Sequence, residues 1–165
     1  MVTLEDLKQI VILGYLTDDM LKTVLPFIES VRYEERDIIF KAGDGAENFF
    51  MLKRGKVLLE LRLSDKITVS VGSVKPGYSF GWSAMLGNAA YTTDAICSET
   101  CDVLALKADK IYRLLEADHE LGYRMTQRLL RVVKKRLDHR TDQLIRVITH
   151  HPDMRSLFDS ESGIS

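Results

Sequence analysis

The chain of 165 residues has few cysteines, which could form disulfides, and few prolines, which interrupt helices and strands. It has two cysteines, three prolines and one tryptophan. Two cysteines exclude a disulfide framework, and the spacing of Cys97 and Cys101 is not that of a CxxC motif. The longest apolar run, residues 10–13, is far shorter than the ~20 residues that span a membrane. No basic segment precedes an apolar one at the start, which excludes a typical secretion signal.

An excess of charge of one sign is also missing. The chain has 23 Lys and Arg against 24 Asp and Glu, a net charge of -1. This balance excludes the strong positive field of a dedicated nucleic-acid binder. The 45% hydrophobic and 28% charged residues are typical of a globular domain with a buried core. We expect a cytoplasmic protein with reduced thiols and no membrane association.

Catalytic and metal-binding patterns are absent from the sequence. The four histidines fall in segments that we expect to be helix or tail, where they do not form a ligand set with strand residues: His119, His139, His150 and His151. Phosphate-loop, dinucleotide-binding and nucleophile-elbow motifs are missing. We expect neither an enzyme nor a metal site. Cys97 and Cys101 are expected to be small buried hydrophobes, with redox sensing as the alternative.

Hydrophobic periodicity divides the chain into helices, then strands, then helices. Thr3 and Thr17 precede apolar residues at helical spacing, and the second of these helices carries Ile28 on its apolar face. Short β-rich runs with glycine turns follow, and helical spacing returns after Ala108. The predicted domains are N-terminal helices, a β-barrel, C-terminal helices that include a dimerisation helix, and a flexible tail, at residues 1–30, 31–108, 109–150 and 151–165.

Four segments carry a resemblance to a known family: residues 38–44, 50–57, 76–81 and 103–106. Their turn glycines fall at matching separations: Gly43, Gly55, Gly77 and Gly81. From Leu21 to Leu137 the chain resembles the cyclic nucleotide-binding domain, the barrel of catabolite activators, kinase regulatory subunits and gated channels. The resemblance implies a mainly β fold with flanking helices: a double-stranded β-helix (jelly-roll-like) barrel followed by a long C-terminal helix.

The resemblance also implies a ligand site after Phe80. The family carries there a glutamate that binds the ribose hydroxyl and an arginine that pairs with the cyclic phosphate, but this chain has Trp82 and Tyr91. A charge-assisted hydrogen bond is worth about 1.5–3 kcal/mol, so losing both removes about 3–6 kcal/mol, or about a hundred- to ten-thousand-fold in affinity. The other site candidates still fit the family: Gly81, Ser83, Ala84, Thr92 and Thr93.

Two hypotheses about function follow. In the first, the chain is a stand-alone regulatory module that binds a small ligand, a cyclic nucleotide or another compound, without ordinary cAMP recognition. Trp82 and Tyr91 then line a flatter, more apolar pocket. In the alternative, the chain is a ligand-free dimeric scaffold, and both side chains fill the barrel core. Beyond such a ligand, we expect no cofactor.

The long C-terminal helix carries a seam of apolar residues at heptad spacing, interrupted by Arg140: Leu130, Val133, Leu137, Leu144 and Val147. The seam predicts a homodimer, with packing on the chain's own barrel as the alternative. By resemblance, the helix flank closes over the ligand, so Val132, Val133 and Arg136 are lid candidates. Only 27 residues follow Asp138, too few for a winged helix-turn-helix domain, so we expect a protein effector and not DNA.

Overall fold

The chain divides between Met125 and Thr126 into two units, and the computed structural model describes residues 1–87 and 89–151. The strands found among these described residues lie in the first unit. The predicted flexible tail, residues 151–165, lies outside the described residues except for His151. In the described part of the chain, no helix has both the length and the apolar character needed to cross a membrane.

Two short helices begin the chain. Helix α1 spans Leu4–Lys8 and helix α2 spans Asp18–Val24, each with a threonine cap as the sequence predicted. A 3-10 turn follows at Leu25–Phe27. Ile28 was expected on the apolar face of the second helix, but it begins a strand. Pro26 explains the difference, because it has no N–H with which to extend an α-helix.

In the part of the chain that the structure describes, eight strands form two antiparallel sheets with a jelly-roll-like arrangement. The strands are β1 Ile28–Tyr33, β2 Ile38–Phe40, β3 Asn48–Arg54, β4 Val57–Arg62, β5 Thr68–Val74, β6 Ser79–Phe80, β7 Asp94–Cys97 and β8 Cys101–Lys107. The first sheet has the order β1-β8-β3-β6 and the second the order β2-β7-β4-β5. The mainly β fold that the sequence predicted is therefore confirmed.

The sheets are not closed into a barrel, which corrects the expectation of a barrel in the strict sense. The edge strand β6 has only two residues. Gly81 ends it, because its left-handed backbone, with φ at 70°, turns the chain out of the extended conformation.

The first sheet separates two hydrophobic cores. Along β3, side chains alternate between the faces, so Phe49 and Met51 join one core while Phe50 and Leu52 join the other. The helical-side core packs the N-terminal helices against the sheet and includes Leu7, Leu13, Leu21, Phe49, Met51, Leu104 and Ile111. The intersheet core lies between the two sheets and includes Phe40, Phe50, Leu52, Val57, Phe80, Tyr91, Ala95, Cys97, Cys101 and Val103.

Two helices follow the strands, as the sequence predicted. Helix α3 spans Ala108–Ala117 and buries Ile111. Helix α4 spans His119–Thr149, and its 31 residues make it about 46 Å long. Near its start, Leu121 and Met125 join the helical-side core. The remainder of α4 belongs to the second unit.

An ion pair fastens helix α1 to strand β3. The Lys53 Nζ lies 2.8 Å from the Asp6 Oδ1, with only 14% of the Asp6 side chain exposed. Asp6 also completes the capping box of α1 with Thr3. The hydrogen bond from Lys53 is the largest cause that lowers the pKa of Asp6. The charged carboxylate therefore stabilises the folded chain.

We expect Asp6→Asn to lower the free energy of unfolding by about 1.5–3 kcal/mol at neutral pH, the range for a hydrogen bond to a charged group. The depressed pKa makes this stabilisation complete above the usual pKa of aspartate, and it is lost as the pH falls through the lowered value. Urea unfolding at pH 7 and pH 3 measures both effects. Asp65→Asn, which removes an exposed pair with Arg62, is the control and should change little. Equal losses for Asp6→Asn at both pH values would contradict the assignment.

Candidate ligand-binding site

The segment that follows β6 turns sharply at Gly81. A Cβ atom at this position would lie 3.0 Å from Cδ2 of Phe50 and 3.1 Å from the carbonyl oxygen of Asn48. Because the backbone is also left-handed there, only glycine fits without strain. A 3-10 turn, Trp82–Met85, follows directly.

Trp82 packs against the helical-side core and not between the sheets. Its indole N–H donates to the carbonyl oxygen of Ser79 at 3.1 Å, and its ring meets Phe49 edge-on with centroids 4.9 Å apart. Ala84, at 2% exposure, is in the same core. At the position that carries the family's glutamate by resemblance, the chain therefore has an indole fixed on the other side of the sheet.

Tyr91 lies in the intersheet core and is fixed at both ends. Its ring stacks on Phe40 with centroids 3.8 Å apart and planes 13° from parallel. Its hydroxyl donates to the Asn48 carbonyl oxygen at 2.7 Å and accepts from the Asn48 N–H at 3.1 Å. Burial, the largest cause, raises the pKa of Tyr91, so the phenol keeps its proton and remains a donor.

Four aromatic rings form one cluster in the intersheet core. Phe50 and Phe80 stack with centroids 5.3 Å apart, and Phe40 lies 5.7 Å from Phe50 and 6.0 Å from Phe80. Tyr91 completes the cluster through Phe40 and lies 6.5 Å from Phe50. At the position that carries the family's arginine by resemblance, the chain thus has an aromatic ring built into its own core.

Backbone hydrogen bonds fix the segment that carries Tyr91. Its N–H donates to the carbonyl oxygen of Asp44 at 2.9 Å, and its carbonyl oxygen accepts from the Gly43 N–H at 2.9 Å. Ala46 adds a third bond to the carbonyl oxygen of Ala89, also at 2.9 Å. Because both the main chain and the ring are held, the phenol cannot turn outward without breaking several contacts.

The remaining site candidates differ in exposure. Ser83 and Thr93 are half-buried and Thr92 is exposed. The structure thus places Trp82 and Ala84 in one core and Tyr91 in the other, with the small polar residues nearer to solvent. Trp82 and Tyr91, which the sequence hypothesis places together around one pocket, therefore do not share a pocket wall.

One apolar surface escaped the sequence analysis. Leu59 of strand β4 packs against the intersheet core, and Leu61, two residues further along the strand, is half-buried. Leu61 pairs with Val69 of β5, and Val69 is 40% exposed. Leu63 and Ile67, at the tip of the hairpin, are 66% and 55% exposed. The alternation of apolar residues at positions 57, 59, 61 and 63 was the available signal.

The lid candidates and the seam residues of helix α4 lie beyond Met125, in the second unit. Of the lid candidates, Val132 is half-buried, and Val133 and Arg136 are exposed. The seam residues are exposed by 48–69%: Leu130, Val133, Leu137, Leu144 and Val147.

The two cysteines are both buried, as the sequence predicted. The thiol of Cys101 donates to the carbonyl oxygen of Glu99 at 3.2 Å. Burial is the largest cause that raises the pKa of Cys97 to about 12, so this thiol stays protonated near neutral pH. Within residues 1–87 and 89–151, no three His, Cys, Asp or Glu side chains come together as a metal site would require.

Comparison with known proteins identifies the family of this chain. The profile of the cyclic nucleotide-binding domain matches residues 30–118, more than half of the chain. The chain belongs to the cyclic nucleotide-binding domain family. Family membership supports a regulatory, ligand-binding type of module.

Solved structures agree on the fold. A cyclic nucleotide-binding protein from Geobacter metallireducens is 26% identical, with a TM-score of 0.73 over 83% of this chain and 99% of its own. A cyclic nucleotide-binding domain from Methylobacillus flagellatus has a TM-score of 0.77 at 18% identity, over 90% of this chain and 84% of its own. The second likeness shows the fold alone.

A relative of known activity matches a smaller region. The cGMP-dependent protein kinase isozyme 2, forms cD5/T2, of Drosophila melanogaster is 27% identical over 105 residues, 63% of this chain. This chain spans only 11% of the length of that kinase.

We expect Tyr91→Phe to lower the free energy of unfolding by about 1–3 kcal/mol, because both backbone groups of Asn48 lose the phenol while the ring stack remains. Tyr91→Leu should lower it further, since it also removes the stack on Phe40, worth about 0.5–1.5 kcal/mol. Urea unfolding measures both. Tyr78→Phe, at a half-exposed tyrosine, is the matched control and should change little. Equal stability of Tyr91→Phe and the unchanged chain would contradict the assigned hydrogen bonds.

Proposed function

We propose that this chain is a non-catalytic regulatory module that binds a small ligand without ordinary cAMP recognition and passes the signal on through α4. The observation that carries the proposal is Tyr91, whose hydroxyl is engaged by Asn48 where a phosphate-pairing arginine is expected. A buried phosphate without a cation is unfavourable. The proposed place of action is the cytoplasm, where both thiols stay reduced.

The proposed ligand is neutral and partly apolar. The partly exposed leucine and valine of the β4–β5 face, Leu61 and Val69, offer apolar contact area. Ser83 and Thr92 offer hydroxyl groups, which orient a neutral ligand without requiring a charge. A ligand of this class would not need the two charged contacts that the sequence has lost.

A ligand-free dimeric scaffold is the second candidate function. The aromatic cluster favours it, since Phe40, Phe50 and Tyr91 fill part of the space between the sheets with the chain's own rings. In this case the domain serves as a rigid platform, and regulation comes from a protein effector that binds the dimer. Both candidates use the same homodimer.

The proposed homodimer forms through α4. Its seam residues recur at heptad spacing and are exposed by 48–69%, which leaves apolar area for a second copy to cover: Leu130, Val133, Leu137, Leu144 and Val147. Lys134 and Asp138 pair along the same helix at 2.8 Å, a polar flank of the kind that borders such seams. We propose no role in DNA binding.

Calorimetric titration with cAMP, cGMP and cyclic dinucleotides tests the loss of phosphate recognition. We expect no saturable heat at high micromolar protein for the unchanged chain, because the phosphate has no cationic partner at Tyr91. Tyr91→Arg should raise cAMP affinity by about 10- to 150-fold, the equivalent of one charge-assisted hydrogen bond. Tyr78→Arg adds the same charge at an exposed tyrosine and is the control. Micromolar cAMP binding by the unchanged chain would contradict the proposal, as would a folded Tyr91→Arg variant without gain.

Native mass spectrometry of the purified chain separates the two candidate functions. A ligand-binding module should carry a small neutral adduct that is lost on denaturation and that rebinds with measurable heat. The scaffold should give only the mass of the bare chain, as monomer or dimer. A bare chain that also shows no heat with extracted small molecules would overturn the ligand-binding proposal in favour of the scaffold.

A further inference from the structure

The seam of α4 contains one charged residue in a row of apolar ones. In order, its positions are Leu130, Val133, Leu137, Arg140, Leu144 and Val147, with alternating spacings of three and four. All lie within His119–Thr149, a continuous helix. The question is which orientation of a second copy this row accepts. The inference rests on the proposed homodimer and goes beyond it to the geometry of the pair.

A parallel pair is disfavoured by Arg140. In a symmetric parallel pair each seam residue faces its own copy, so two Arg140 side chains would meet within one apolar layer. Like charges placed together in an interface cost several kcal/mol. Arg140 has a local partner, Gln143 at 3.1 Å, but this neutral side chain does not cancel the charge.

The residue types also disfavour a parallel pair. The spacing assigns the leucines at 130, 137 and 144 to the first core position of the heptad, and the valines at 133 and 147 to the second. Parallel two-stranded coiled coils prefer the opposite order, with β-branched residues first and leucine second. A parallel pair would therefore have leucine at the first core position and valine at the second, contrary to this preference.

An antiparallel pair resolves both conflicts. The spacings between seam residues are the same in the reversed direction. Leu130 therefore faces Val147 of the second copy, and Val133 faces Leu144 of the second copy. A long and a short side chain then share each of these layers. At the centre, Arg140 faces Leu137 of the second copy, where its aliphatic stem can cover the leucine while the charge stays in water.

The flanking residues accept the antiparallel pair. Seen along the reversed helix, Arg136 comes beside Gln143 of the second copy, and Lys134 beside Thr141 of the second copy. Neither flanking pair joins two like charges. From His119 to Thr149 the helix has eight Lys and Arg against three Asp and Glu, so its net charge opposes pairing in either orientation. The seam therefore decides the orientation.

We propose that α4 is the docking surface for a second copy of this chain in antiparallel orientation, with Leu130 opposite Val147 and Leu137 opposite Arg140. The paired region covers the part of α4 beyond Met125.

Spin-label distances on the full chain test the orientation. Arg131→Cys and Arg146→Cys lie outside the seam row, and the unchanged chain, with both native cysteines buried, is the labelling control. In an antiparallel pair, two labels at position 131 are offset by the fifteen residues from 131 to 146, about 23 Å along the helix. In a parallel pair that offset is zero, and only the distance across the pair, about 10 Å between axes, remains.

In a mixed dimer, whose two copies carry the label at different positions, the expected distances are exchanged. One copy labelled at 131 and one at 146 should give the short distance in the antiparallel pair and the long one in the parallel pair. A dimer with a short 131–131 distance would overturn the antiparallel orientation and leave the proposed homodimer intact. A monomer by sedimentation at labelling concentrations would overturn the homodimer, and the orientation with it.

Discussion

The hydrogen-bonded and stacked side chain of Tyr91 is the constraint on which the account of this molecule depends. Its hydroxyl both donates to and accepts from the backbone of Asn48, at 2.7 and 3.1 Å. Its ring lies flat on Phe40 at 3.8 Å. A side chain held in this way is part of the core and is not available to a ligand. Tyr91 is therefore a packing residue of the intersheet core.

The rest of the site follows from that packing. Gly81 must remain free of a Cβ atom because Phe50 and Asn48 lie 3.0 and 3.1 Å from where it would be. The same glycine follows β6, the two-residue edge strand of the first sheet. Trp82, the next residue, then packs on the helical side of the sheet against Phe49. The segment after Gly81 therefore contributes Trp82 to the helical-side core and Tyr91 to the intersheet core.

Much of the fold could be predicted from the sequence, because strand runs and turn glycines are local signals. Strand β1 could not, because apolar residues at helical spacing continue from α2 through Ile28, and Pro26 predicts a break in the helix without predicting a strand after it. The direction of a side chain is not a local signal either. Alignment with the family identified Trp82 and Tyr91 as the replaced positions, but only packing against Phe49 and Phe40 assigns them to opposite faces.

The most direct test of the central claim is an NMR titration that follows the backbone amides of Gly81, Ser83 and Tyr91 while cAMP is added to millimolar concentration. We expect these resonances to stay in place and the Tyr91 hydroxyl proton to stay protected by its bond to Asn48. Saturable shifts of these amides with a micromolar midpoint, together with loss of that protection, would contradict the central claim.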